Sequence, residues 1–254
     1  MGSTPEPATD PPRTAVIIPT YCEADNLRAL AARLERLDDT IDAVIVDDGS
    51  PDGTGAIADE LAASSPRFHV LHREGDRGYA GACRTGIAWA LEHGYDLIAT
   101  MDADLSHDPA RIPALVDAVT RGADLAIGSR YVDGGELVVD WGPVRRAVSR
   151  AGSGYARAMI GTGVHDCTSG FRCYRASTLD AARVQETRSE GYCFLIEVLS
   201  ALRRVDARIV ELPITYVDRR AGSSKISRGI VAEAFVLATS EGLARLAGRR
   251  RVGR

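Results

Sequence analysis

Residues 14–48 read TAVIIPTYCEADNLRALAARLERLDDTIDAVIVDD. Residues 14–18 (TAVII) and 42–46 (DAVIV) are short runs rich in β-branched residues, which suit the pleated surface of a strand. Between them, from Glu23 to Leu37, Leu27, Leu30, Leu34 and Leu37 recur every three or four positions, the spacing that gathers them on one face of a helix. A strand, a helix and a second strand in so short a stretch form a βαβ unit, and such a unit makes its two strands parallel.

The same rhythm continues outward. Strands are predicted at 68–72 (FHVLH), 96–101 (DLIATM) and 124–128 (DLAIG), with helices at 53–63 and 80–92. This alternation predicts an α/β domain with a mostly parallel central sheet flanked by helices. Open sheets of this kind bind ligands beyond the carboxyl ends of their strands, so the residues following each strand are where chemistry is expected. After Tyr131 the rhythm changes: a Gly-rich stretch (DGGELVVDWG), a helix from Val144 to Ile160, an irregular segment (HDCTSGFRCYR), a helix from Tyr192 to Arg203, a strand over 207–219 and a loop, RRAGSSKISR, before a last amphipathic helix over 226–246.

Composition narrows the class. With 254 residues, 45% apolar and 26% charged, the chain is an ordinary globular protein rather than a disordered, collagenous or disulfide-framed one. Its apolar runs fall far short of the roughly 20 residues that cross a bilayer. The opening residues 1–13 lack a signal-peptide core and read as a disordered leader, 14–246 as one domain, and 247–254 as a basic tail. Five scattered cysteines without a CxxC pair fit free thiols in the cytosol. The last ten residues, RLAGRRRVGR, hold five Arg and no acid, against an acidic body.

The strongest chemical signal is MDADLSH, which follows the strand at 96–101. Asp102 and Asp104 stand two apart, so in an extended segment both carboxylates face the same way and can converge on one hard cation beside a diphosphate. A two-acid set suits Mg²⁺ or Mn²⁺, which keep positions for water and phosphate oxygens. A second acidic cluster, VDDGSPDGT, follows the strand at 42–46, where Asp47 and Asp48 close the strand and Ser50 and Asp52 are placed to hydrogen-bond a base or ribose. With IPTYCEADNL after the first strand, three strand ends are expected to face one crevice.

Taken with DRGYAGACRTGI, IGSRYVDGG, DCTSGFRCYR, GYCFLIE and the late SSK, these motifs in this order resemble the family 2 glycosyltransferases of GT-A fold, and within them the polyprenol-phosphate mannose synthases. The resemblance implies an inverting, metal-dependent transfer of mannose from GDP-mannose to a polyprenyl monophosphate. It also implies that Pro19, Tyr21, Glu23, Asp48, Asp102 and Ala103 line the donor pocket, and that Asp102 and Asp104 hold Mg²⁺ or Mn²⁺. In the family the residue two after the second Asp, often Gln, also approaches the metal; here that place is Ser106, with water or His107 able to compensate. The family's Lys-x-Gly-Leu-Gly segment is occupied by Asp76, Arg77, Gly78, Tyr79 and Ala80.

A phosphate acceptor sets its own demand. Unlike a hydroxyl, a phosphate monoester is already an anion at neutral pH and needs no general base, only cations that bring two anions together. Candidates are Arg130, Arg145, Arg146, Arg172, Arg219 and Lys225, the one lysine of the chain. Arg130, Arg172, Arg219 and Lys225 join Asp104 as the expected catalytic set. Asp166 is expected either to orient an arginine or to turn the DCTSG loop, and Glu197 to pair with an arginine or approach the sugar. A lipid acceptor predicts peripheral attachment to the cytosolic face of a membrane through the basic tail and the amphipathic helices near Ala147 and Phe235, a membrane-anchored partner subunit as the alternative, and no nucleic-acid partner. Competing enzyme classes fit less well: a nucleotidyltransferase or a Rossmann dehydrogenase needs a Gly-rich loop directly after the first strand, and PTYCEADN is not one. UDP-glucose as donor, a hydroxyl acceptor, or a non-catalytic nucleotide-sugar sensor remain the alternatives.

Overall fold

A computed structural model describes residues 11–138, 143–217, 238–240 and 242–243. Nine strands are described: β1 (Thr14–Thr20), β2 (Ile41–Asp47), β3 (Phe68–His72), β4 (Leu97–Thr100), β5 (Leu125–Ser129), β6 (Glu136–Val138), β7 (Arg172–Arg175), β8 (Ile209–Pro213) and β9 (Thr215–Val217). Seven form one sheet in the order β3-β2-β1-β4-β7-β5-β8, and β6 pairs with β9 in a small second sheet. Among the described residues the helices are α1 (Ala24–Leu34), α2 (Thr54–Ser64), α3 (Tyr79–Glu92), α4 (Ile112–Thr120), α5 (Pro143–Ile160), α6 (Ala176–Ala181) and α7 (Gly191–Arg204).

The expected mostly parallel α/β architecture is observed. β1 runs parallel to β2 from Thr14↔Ile41 to Thr20↔Asp47 and parallel to β4 up to Ile17↔Thr100. Tyr21, Asp48 and Met101 therefore leave the sheet at one edge. β8 lies parallel to β5, with Ser129 opposite Pro213, so Arg130 emerges at that edge too.

β7 departs from the sequence reading. The segment read as irregular contains a strand, antiparallel to both β4 and β5, in which Arg172 faces Thr100 on one side and Ile127 on the other. Only four residues long and carrying two Arg, RCYR has no β-branched signature. Its reversed direction has a consequence: the loop that precedes it, 165–171, lies at the edge where the parallel strands end. The reading also left α4, β6 and α6 unassigned, and the strand expected over 207–219 is divided between β8 and β9. α1 stops at Leu34 instead of continuing to Leu37, where the Arg67 guanidinium takes the carbonyl oxygens of Leu34, Glu35, Leu37 and Asp38.

Apolar layers cover both faces of the sheet. Leu27, Leu30 and Leu34 of α1 and Ile112, Leu115 and Val119 of α4 pack on one; Ile87 of α3 and Phe194, Leu195 and Leu199 of α7 pack on the other. α3 lies so close to β1 that a Cβ on Gly86 would overlap the Ile17 side chain and sit 3.1 Å from Val46 Cγ2. Gly86→Ala is therefore expected to cost about 1–3 kcal/mol by overpacking, read as a fall of several degrees in Tm.

Of the expected leader, residues 1–10 lie outside the described residues, and Arg13 is tied to the sheet: its N–H donates to Asp96 Oδ2 at 2.9 Å. Most of the helix expected over 226–246 and all of the tail 247–254 lie outside as well. Residues 238–240 and 242–243 are helical and lie against α5, where the hydroxyls of Tyr155 and Thr239 are 2.5 Å apart. No helix among the described residues is long and apolar enough to cross a membrane.

Candidate functional site

The loops after β1 and β2 are stapled to each other. Ser50 Oγ accepts from Cys22 N at 3.0 Å, Thr54 Oγ1 from Glu23 N at 2.9 Å, and Asp52 Oδ2 from Ala24 N at 3.2 Å. Asp47 anchors the turn by accepting from Ser50 N at 3.1 Å and Ser50 Oγ at 2.5 Å. Burial would raise the Asp52 carboxyl, but bonds from Thr54 and Ala24 outweigh it and hold the group below its ordinary range. Ser50 and Asp52, read from sequence as base or ribose contacts, thus build the turn.

Expected donor residues cluster along this edge. Pro19 lies in β1 opposite Val46. Arg77 donates to Tyr21 Oη at 2.8 Å and to the Gly49 carbonyl at 3.2 Å, with its guanidinium carbon 4.9 Å from the Tyr21 ring centroid. Asp48 is paired with Arg73 and accepts from Gly78 N at 2.7 Å. Glu23 Oε2 accepts from Asn26 Nδ2 at 2.9 Å. Ala103 is buried in the apolar layer with Met101 and Ile112.

After β4, Thr100 Oγ1 donates to the Gly170 carbonyl at 2.6 Å and joins this strand end to the loop before β7. Asp102 meets that loop at Gly170, where an added Cβ would come 2.7 Å from Tyr79 Oη and 3.4 Å from Asp102 Oδ1. Only glycine leaves that space. Burial, then the charges of Cys83 and Asp102, push the Tyr79 hydroxyl well above its usual range, so it stays protonated. Asp104 is buried, and its Oδ1 accepts from Ser106 N at 3.1 Å and Ser106 Oγ at 2.5 Å across a turn in which Leu105 has φ +60°.

This donor set fits a hard divalent cation. The Asp102 carboxylate lies beside Gly170, Asp104 stands two residues on in the same turn, and no group of three or more His, Cys, Asp or Glu that could hold a metal exists among the described residues. A cation held by Asp102 and Asp104 would take its other ligands from water and phosphate oxygens, as Mg²⁺ and Mn²⁺ do.

Arg130 follows β5 and is gripped by Asp166. Nε and Nη2 each donate to its carboxylate at 2.7 Å, the Arg130 N–H adds a third bond at 3.0 Å, and Nη2 also reaches Thr168 Oγ1 at 2.9 Å. None of these bonds uses Nη1. The guanidinium carbon lies 5.3 and 5.4 Å from the ring centroids of Tyr131 and Tyr216. Burial would raise the Asp166 carboxyl, but the charge and bonds of Arg130 overcome it and hold the group below its ordinary range. Asp166 is itself fixed through its backbone N–H, which donates to Glu211 Oε1 at 2.9 Å beside His165 N, 2.8 Å from Oε2.

Arg172 is placed differently from the sequence expectation. It is fully buried, and its donors go to the carbonyl oxygens of Ser169 at 2.7 Å, Cys167 at 2.8 Å and Leu195 at 3.1 Å. It clamps the loop before β7 to α7 and presents no group to the crevice; the adjacency of RCYR to DCTSGF in sequence hid the fact that its strand lies mid-sheet. Glu197 accepts the N–H groups of Arg188 and Ser189, the latter at 2.8 Å, and so organises the approach to α7. Arg219 and Lys225 lie outside the described residues, as do the side chains of Arg145 and Arg146. Glu211 and Tyr216 were not singled out in the sequence, and Tyr79 was named only as part of the segment 76–80; the lone acid in the apolar run IVELP was the one available signal for Glu211.

Residues 15–182, more than half of the chain, match the family described as "Glycosyl transferase family 2". The undecaprenyl-phosphate mannosyltransferase of Micrococcus luteus is 48% identical over 232 residues, covering 91% of this chain and 95% of that protein. Among solved structures, glucosyl-3-phosphoglycerate synthase of Mycobacterium tuberculosis, in complex with Mn²⁺, UDP and glucosyl-3-phosphoglycerate, superposes with a TM-score of 0.67 at 18% identity, over 91% of this chain and 80% of that one. A mannosyltransferase of Pyrobaculum calidifontis in complex with GDP-Man and Mn²⁺ gives a TM-score of 0.53 at 18% identity, over 96% of this chain and 76% of that one.

Proposed function

The chain belongs to glycosyl transferase family 2 and has its GT-A architecture, and from that premise we propose that it moves mannose from GDP-mannose to a polyprenyl monophosphate with inversion at the anomeric carbon. In this reading Pro19, Tyr21, Glu23 and Asp48 receive the nucleoside, with the backbone around Ala103 beside it. Asp102 and Asp104 hold a divalent cation against the diphosphate. When bound, that cation supplies Lewis-acid stabilisation of the charge that grows on the leaving β-phosphate, worth several kcal/mol.

On the other side of the sugar, Arg130 receives the acceptor phosphate. Asp166 fixes the guanidinium in one orientation by taking its Nε/Nη2 fork in two parallel bonds, and Nη1, which enters none of these bonds, would donate to the phosphate. Because the acceptor is already anionic, no residue has to remove a proton. One acceptor oxygen forms the new bond to the anomeric carbon, the bond from that carbon to GDP breaks on the opposite face, and GDP departs with the electron pair. Arg219 and Lys225, on the segment after β9, would add positive charge around the two phosphates.

The observation that carries this reading is the pairing of a carboxylate site suited to a diphosphate-bound cation with an arginine locked for an oxyanion at the same sheet edge. Its support in relatives is the mannosyl transfer to undecaprenyl phosphate named for the 48% identical protein. The test is transfer of label from GDP-[³H]mannose into an organic-extractable lipid by purified protein with polyprenyl phosphate, with Mg²⁺ or Mn²⁺ present or chelated. Metal-dependent label is expected; label only from UDP-glucose in a parallel tube would replace the donor, and silence in both would refute transfer to a lipid phosphate.

The acceptor belongs to a membrane, and the reading includes peripheral attachment at its cytosolic face through Arg245, Arg249, Arg250, Arg251 and Arg254. Each basic residue near an anionic leaflet contributes about 1 kcal/mol. Deleting 245–254 is expected to remove most co-sedimentation with phosphatidylglycerol vesicles at low salt; undiminished binding would refute the tail as the anchor and place attachment on another face of this chain.

A further inference from the structure

The loop 165–171 is tied to the rest of the fold at several points. Ser169 Oγ donates to the Gly128 carbonyl at 2.6 Å, Thr100 Oγ1 to the Gly170 carbonyl, and the Arg172 guanidinium to the carbonyls of Cys167 and Ser169. These bonds fix the part of the loop next to β7. Its first two residues are held by a different group. Glu211 lies in the edge strand β8, opposite Ile127 of β5, with a side chain only 10% exposed. Its Oε1 accepts the Asp166 N–H at 2.9 Å, and its Oε2 accepts the His165 N–H at 2.8 Å and lies 2.9 Å from His165 Nδ1.

One carboxylate thus captures two consecutive backbone N–H groups, in charge-assisted bonds about twice as strong as neutral ones. A nearly buried carboxylate in the apolar run IVELP costs free energy unless its oxygens are bonded. Here both oxygens bond to the peptides that lead into Asp166. With those two peptide planes pinned, the Asp166 carboxylate meets Arg130 with Oδ2 accepting from N and Nε and Oδ1 accepting from Nη2. Glu211 therefore stands behind the arginine fork without touching it.

We propose that Glu211 is a positioning residue for the acceptor phosphate: through the backbone of His165 and Asp166 it sets the angle at which Asp166 holds Arg130, and with it the direction of Nη1. The proposal rests on the reading of Arg130 as the acceptor-phosphate site. The two backbone bonds carry the effect, not the ion pair with the His165 ring, which is about half exposed and of a kind that contributes little.

The test starts from Glu211→Gln, which keeps the side-chain length but replaces one acceptor oxygen by an NH₂ donor, so that only one of the two N–H groups keeps its partner. The acceptor kcat/KM for polyprenyl phosphate is expected to fall about 10- to 100-fold while the KM for GDP-mannose stays within about twofold, because only the acceptor side loses its alignment. His165→Ala, which leaves both backbone bonds in place, should change transfer by no more than about twofold. Arg130→Lys keeps a charge for Asp166 but has no fork to orient. In that background Glu211→Gln should change the remaining transfer by less than about twofold, whereas a merely structural role would cost the same factor in both backgrounds. Should Glu211→Gln fail to fold, Glu211→Asp, too short to reach both N–H groups, carries the same cycle.

A second readout needs no acceptor. The Arg130 Nε–H, held by Asp166 and assigned by its absence from the ¹⁵N spectrum of Arg130→Lys, should exchange with solvent about tenfold faster in Glu211→Gln. Wild-type acceptor kinetics in Glu211→Gln, unchanged Nε–H exchange, a matching rise in the GDP-mannose KM, or equal losses in both backgrounds would each overturn the proposal. Wild-type acceptor kinetics in Arg130→Lys, with Nε–H exchange still accelerated by Glu211→Gln, would instead defeat the reading of Arg130 as the phosphate site.

Discussion

Asp104→Asn is expected to lower mannose transfer by about 10²–10⁴-fold at any Mg²⁺ or Mn²⁺ concentration while the protein stays folded. The amide keeps the shape of the carboxylate and can still accept from Ser106, so packing around this buried side chain changes little. On the proposed reading, what disappears is one of two negative charges that would face the diphosphate-bound cation, whose stabilisation of the leaving group would be worth several kcal/mol, or roughly two to four powers of ten in rate. Steady-state transfer assays over a metal titration, with circular dichroism as the folding control, measure this. Near-wild-type turnover at saturating metal would remove Asp104 from the cation site.

The second large effect is on stability. Asp166→Ala takes the carboxylate away from a buried arginine whose guanidinium directs two bonds, and whose backbone N–H a third, into it. Breaking one side of a buried ion pair leaves the other charge without compensation and typically costs about 3–5 kcal/mol. Urea unfolding should show that loss, and lipid mannosylation should fall with it because Arg130 is no longer held in one orientation. The pair also predicts a pH dependence. Because the folded-state pKa of Asp166 lies below its unfolded value, its contribution is fully present above about pH 4, the ordinary carboxylate value. It is lost as the pH falls through that value toward the depressed one. Asp166→Asn should flatten this part of the acid limb; an unchanged acid limb would show that other carboxylates set it.

Arg130 and Arg172 show where residue type ceases to be informative. Both are arginines next to small-residue motifs, and both read as cations for the crevice. Arg130 ends a parallel strand at the open edge and keeps Nη1 outside its bonds to Asp166 and Thr168, whereas Arg172 begins an antiparallel strand in mid-sheet and spends its donors on three carbonyls. Motif adjacency was equal in the two cases; strand direction separated them. Ser50 and Asp52 make the same point on a smaller scale, because side chains suited to a ribose are equally suited to hold two neighbouring loops together.

By itself the sequence determined the alternation of strand and helix, the parallel sense of β1, β2 and β4, and hence the edge where Tyr21, Asp48 and Asp102 emerge. Those conclusions follow from local periodicity and from the helix-bearing connections long enough to cross over between parallel strands, and both are written in neighbouring residues. Only the tertiary structure decided that β7 runs backwards between β4 and β5, that Asp166 grips an arginine 36 residues away, and that β9 is bonded to the Ser106 carbonyl. Each of these depends on burial beside a distant partner. The energy that makes a buried charge or hydroxyl tolerable comes from that partner, and one segment read alone does not contain it.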